Sequence, residues 1–126
     1  MSETSLAANL LAAARDVFRA EVVPALPGGL RFPAAMVANA MGIASRELEH
    51  GPGNRAELRA LLARLYPDAP DTTPHPGDLQ RRLCRELRAG RFDRDEDGRL
   101  RALLRDRTRL RLTVSAPGLA ERARMP

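Results

Sequence analysis

Apolar residues recur along most of this chain at intervals of three and four, the spacing that puts side chains on one face of an α-helix. Leu6, Leu10, Ala13, Ala14 and Val17 mark the first face, widened by Leu11 and Phe18. They predict a helix from about Ser5 to Val23, stopped by Pro24, Pro27 and Gly28-Gly29. A second helix is predicted from Pro33, a favoured first-turn residue, to His50 before Gly51. Its core face is Val37, Ala40, Met41, Ala44 and Leu48, flanked by Met36 and Ile43. Asn54 reads as the N-cap of a third helix carrying Leu58, Leu61, Leu62 and Leu65, which ends at Tyr66-Pro67. Residues 67–77 hold Pro67, Pro70, Pro74 and Pro76, a density that blocks helix and predicts a surface loop. Asp78 then caps a short helix with Leu79, Leu83, Cys84 and Leu87, closed by Gly90. The last helix bears Leu100, Leu103, Leu104, Leu110 and Val114, and Pro117-Gly118 halts it, leaving 117–126 as a flexible tail. The expectation is an all-α, single-domain bundle of about five helices over residues 1–126, mostly antiparallel.

Composition supports helices. The 126 residues are 44% hydrophobic but only 3% aromatic, with no Trp, so Leu, Ala, Val and Met must build the core. All 21 basic residues are Arg, which excludes chemistry that needs a lysine: a Schiff base, a P-loop or a kinase-type phosphate contact. Cys84 stands alone, so it forms no intrachain disulfide or thiolate metal site, and its place in an apolar stripe reads as a small core residue. The first residues lack the early positive charge of a signal peptide, and no apolar run nears the ~18 residues that span a bilayer. A cytoplasmic protein without a membrane partner is expected. The formal charge of +5 is uneven: residues 81–111 hold 12 Arg against 6 acids.

Several motifs carry candidate chemistry. Asp93, Asp95 and Asp97, followed by Gly98 and Leu100, match the first half of an EF-hand loop. Position 12, where a bidentate Glu is needed, is Leu104, so an acidic helix start against the helix dipole is the alternative. Glu47-Leu48-Glu49-His50 is an E-x-x-H, but the second such motif of a di-iron site is missing, and the other histidine, His75, lies in the proline-rich loop. No resident metal or cofactor is expected. At about 100° per residue, Glu21, Glu47 and Arg107 fall inside apolar arcs. Charges facing a core need partners, so these three are expected to form a buried cluster, either an internal ion pair or an anion-binding site. Arg31, Asn39, Arg46 and His50, with Phe32, mark a polar edge on the second helix. Arg101, Arg105 and Arg109 form a basic stripe, yet interleaved acids and the lack of stacking aromatics weigh against nucleic acid.

The run Phe18-Arg-Ala-Glu21-Val-Val-Pro24-Ala-Leu26, with Leu30-Arg31-Phe32, Val37-Ala-Asn39 and Arg46-Glu47-Leu48, resembles a bacterial all-helical family of unknown function. The segments Leu79 to Gly90 and Leu103-Leu104-Arg105 are similar to it as well, so the likeness spans most of residues 10–112. Members are often encoded beside aminoglycoside-phosphotransferase-like kinases and acyl-CoA dehydrogenases. The resemblance implies an accessory role near such enzymes and brings no catalytic residues. The acidic Asp93–Asp97 stretch and the chain after Leu112 depart from the family pattern. Three functional readings stand: a non-catalytic interaction protein with a protein partner or a second copy, a small enzyme or anion binder using Glu21, Glu47 and Arg107, and an arginine-driven nucleic-acid binder.

Overall fold

The computed structural model describes residues 3–69 and 76–122. Among them the protein is all-α, as the apolar spacing predicts. The helices are α1 (Glu3–Val17), α2 (Arg31–Leu65), α3 (Pro76–Arg88), α4 (Arg99–Ser115) and α5 (Pro117–Arg122). A π-helical turn, Phe18–Val22, extends α1, and 3-10 turns at Val23–Ala25 and Gly28–Leu30 lead into α2. Packing divides the chain into two compact units: Met1–Pro52 with Thr113–Pro117, and Gly53–Leu112 with Gly118–Pro126. No helix among the described residues is long and apolar enough to cross a membrane.

Three boundaries differ from expectation. The predicted second and third helices are one 35-residue helix that runs through Gly51-Pro52-Gly53. A proline removes one intrahelical hydrogen bond, but long flanking turns packed on their neighbours keep the helix going. The punctuation instead falls where the first unit gives way to the second. Pro117, read as a stop, occupies the first turn of α5, where its missing N–H has no partner to lose. The expected tail is therefore helical through Arg122, and residues 123–126 lie outside the described residues. Of the proline-rich loop, Pro67–Ala69 turn away from α2 and α3 already starts at Pro76; residues 70–75, His75 included, lie outside the described residues.

The second unit has a leucine core. Leu62, Tyr66, Leu79, Leu83, Leu100 and Leu103 are buried together, with Leu62 at 0% exposure. Leu58, Leu61, Leu65 and Phe92 pack around them. Within this unit α2 and α4 run antiparallel: Asn54 Nδ2 donates to the Leu110 carbonyl at 3.1 Å, and Leu61 and Leu65 line a cavity with Ala102 and Leu103. On α3 the buried row is Leu79, Leu83 and Glu86, at i, i+4 and i+7. Cys84 is off that row and exposed, not the core residue expected, because Glu86 takes the inward position.

Local chemistry closes the helix ends. Gly90, at φ 76°, ends α3 in a Schellman motif: Arg91 N donates to Glu86 O at 3.1 Å and Gly90 N to Leu87 O at 3.2 Å. The acidic run then starts α4. Asp95 accepts the backbone N–H groups of Leu100 and Arg101 at 3.2 and 3.1 Å, and Asp97 accepts that of Arg99 at 3.2 Å. Three of the four orphan donors of a helix N-terminus are thereby satisfied.

Candidate functional site

The first unit is built on a seam of small residues. α1 and the first half of α2 run antiparallel there, since Ser45 Oγ donates to the Ala8 carbonyl and Arg15 Nε to the Ala38 carbonyl, both at 2.9 Å. Ala8, Ala34, Ala38, Gly42 and Ser45 are buried along this seam. The spacing of Ala34, Ala38 and Gly42 at four-residue intervals leaves a shallow groove that lets backbones approach closely.

The large apolar residues face the other way. Leu6, Leu10 and Val17 on α1 are exposed, and so are Phe32 (75%) and Met36 (59%) on α2. The stripes inferred from the sequence exist, but much of each lies toward solvent, while Leu11, Phe18, Met41, Ile43 and Leu48 are half-buried. Glu21 and Glu47 lie within those stripes and are exposed for that reason. Burial expected for them is absent; Arg107, in the second unit, is half-buried.

Gly42 marks the polar part of the seam. A Cβ there would lie 3.0 Å from Arg15 Nε, and 3.2 Å from both Arg15 Cζ and Arg46 Nη1. Two guanidinium groups thus converge on the space that the missing side chain leaves. Arg46 is held by its Nε, which donates to the Val114 carbonyl at 2.6 Å. Next to Arg15, a cavity of about 230 Å³ is lined by Arg15, Arg19, Asn39, Val23, Ala35 and Ala38. Of the polar edge expected from the sequence, Asn39 and Arg46 join this cluster, while Arg31 stands exposed at the start of α2. The sequence reading does not single out Arg15 or Arg19. A cation amid Leu11, Ala14 and Phe18, facing the small-residue row of α2, is the signal that finds Arg15.

The charged network of the second unit is saturated. The Tyr66 hydroxyl donates to Glu86 Oε2 at 2.5 Å, and Glu86 Oε1 accepts from Arg91 at 2.8 Å and Arg82 at 3.3 Å. The Arg82 guanidinium also lies 4.1 Å from the Tyr66 ring centre, a cation–π contact. The Tyr66 hydrogen bond, with help from Arg82 and Arg91, holds the Glu86 carboxyl below the usual carboxylate range against the effect of burial. Burial and that same carboxylate push the Tyr66 phenol well above its ordinary value. The Tyr66–Glu86 bond at its centre is buried and its arginines reach out to the surface, so the network reads as a clamp tying α3 to the end of α2.

The candidate metal motifs are used otherwise. Asp95 and Asp97 cap α4, and the Arg99 guanidinium sits 3.2 Å from Asp97. His50 Nε2 is 3.7 Å from its neighbour Glu49, with both exposed. Among the described residues no group of three or more His, Cys, Asp or Glu is placed to hold a metal ion.

Helices packed in two small units, one with a leucine core and one with an alanine-glycine seam, define an all-helical protein. The chain belongs to a domain-of-unknown-function family, DUF6285, whose model matches residues 24–119. The match begins after α1 and ends within α5. No curated protein and no solved structure matches the chain.

Proposed function

We propose that the protein is a non-catalytic interaction protein, and that the exposed apolar faces of its first unit are covered by a second copy of the chain. One observation carries this reading: the first unit buries alanine, glycine and serine while Leu6, Leu10, Val17, Phe32, Met36 and Val37 stand in solvent. Helices that are apolar on the side away from their partner belong between other helices. Large apolar side chains exposed on both helices of one small unit are the kind of surface that a partner covers.

Charge supports a second copy over an acidic or nucleic-acid partner. The first unit carries 4 Arg against 5 carboxylates, a net −1, while the second carries 17 against 11, a net +6. Two first units therefore meet without the repulsion that the rest of the chain would impose. The resemblance to a bacterial family encoded beside kinase-like and acyl-CoA dehydrogenase enzymes supports an accessory role in the cytoplasm, next to one of those enzyme classes.

Sedimentation equilibrium at tens of micromolar tests the pairing. The wild-type chain is expected to run at twice its chain mass, and a Phe32→Ser, Met36→Ser double variant as a monomer with unchanged helical circular dichroism. A wild-type monomer at that concentration overturns the reading, whatever enzyme co-purifies with it.

A further inference from the structure

Three arginines of the first unit gather without a carboxylate. Five arginines of the second unit are paired with carboxylates: Arg81 with Asp78, Arg82 and Arg91 with Glu86, Arg99 with Asp97, Arg109 with Asp106. Arg15, Arg19 and Arg46 form no ion pair among the described residues. Arg15 and Arg46 each spend Nε on a backbone carbonyl, at 2.9 and 2.6 Å, which fixes their positions and leaves the terminal N–H groups. Both crowd the same point above Gly42, at 3.2 Å. Like charges held this close repel each other unless an anion lies with them.

The cavity beside them limits what that anion is. Arg15, Arg19 and the Asn39 amide supply donors on one side, and Val23, Ala35 and Ala38 supply short apolar walls. Its volume, about 230 Å³, is below the range of pockets for drug-sized ligands, so the occupant is small. Guanidinium forks match the oxygens of phosphate and carboxylate alike, but two of them beside a neutral donor, with the Arg46 charge across Gly42, suit a dianion better than a monoanion. The π-helical turn Phe18–Val22 contributes too. Arg19 lies on it, and such turns recur at functional sites.

The geometry points to a binding site for a phosphate monoester with a short carbon skeleton, its phosphate on Arg15 and Arg19 with Asn39 as neutral donor and Arg46 adding positive charge across Gly42. Its carbons rest against Val23, Ala35 and Ala38.

Titration of the full chain with n-propyl phosphate, inorganic phosphate and acetate at constant ionic strength, read from the arginine Nε signals by NMR, tests the site. Propyl phosphate is expected to shift Arg15 and Arg19 and to bind several-fold tighter than inorganic phosphate and at least tenfold tighter than acetate. Equal responses to phosphate and acetate, or none beyond that of chloride, overturn the proposal, and equal affinity for the two phosphates removes the carbon walls from it. Arg15→Lys removes a fork tied to the backbone and can disturb the seam, so Arg19→Gln is the decisive variant. Arg19 is exposed and ends in no described hydrogen bond, and its loss is expected to weaken propyl phosphate at least tenfold with the helical signal unchanged. Wild-type affinity in Arg19→Gln overturns the site, and Asp16→Asn, one residue from Arg15 and not among the cavity-lining residues, is expected to bind as the wild type does.

Discussion

Replacing Tyr66 by Phe removes one hydroxyl from the core of the second unit and leaves the ring in place. That hydroxyl donates to Glu86 Oε2 at 2.5 Å, and Glu86 is buried, so water does not replace the lost donor freely. Hydrogen bonds to a charged group contribute about 1.5–3 kcal/mol net. Arg91 at 2.8 Å and Arg82 at 3.3 Å still serve the other carboxylate oxygen, which places the expected loss near the lower end, about 1.5–2 kcal/mol. Urea unfolding at pH 7 measures this as a lower midpoint with an unchanged slope. Acid supplies a second condition. The Glu86 carboxyl is held below its ordinary value in the folded chain, so its ionised form stabilises the fold above an unfolded pKa of about 4.3. That contribution is lost as pH falls through the lower, folded value. Once the carboxyl is protonated the bond is neutral, and the Tyr66→Phe loss should shrink to about 1 kcal/mol. A loss under about 0.5 kcal/mol at pH 7, or one that stays constant into acid, would refute the reasoning.

Two further substitutions probe other supports of the second unit. Leu62→Ala empties the most buried position of the leucine core and should cost about 2–5 kcal/mol in urea unfolding; a loss below about 1 kcal/mol would mean the core closes over the gap. Asp95→Ala removes the acceptors for the Leu100 and Arg101 N–H groups and should cost about 1 kcal/mol, a fall in melting temperature of roughly 3–6 °C, of which Asp95→Asn, with one acceptor oxygen in place of two, restores only part.

The two units divide the roles that the chain must fill. A leucine core, a saturated Tyr66–Glu86 clamp and capped helix ends make the second unit stable by its own contacts. The first unit buries mostly small residues, so its own packing contributes less, and several of its larger apolar groups stay exposed. Its unpaired arginines are the chemistry left over once the fold is satisfied.

Periodicity and punctuation were enough to read most of the local structure. Spacing of three and four residues, few aromatics and abundant leucine dictate helices, because no strand can use that pattern. Gly90 ending α3 and the acidic start of α4 were legible for the same reason: a left-handed glycine and carboxylates near orphan N–H groups act within one turn of chain. The long range was not legible. Leu6, Leu10, Val17 and Met36 form real stripes, yet apolar spacing names a face without naming what covers it. Which face packs inside α1 and α2 is set by how closely two backbones can approach, and Ala34, Ala38 and Gly42 win that contest over larger neighbours because their small size lets the helices touch. Glu21 and Glu47 moved from expected burial to solvent with their stripes. Arg15 and Arg46, 31 residues apart in sequence, meet over Gly42 only because the antiparallel seam puts them there.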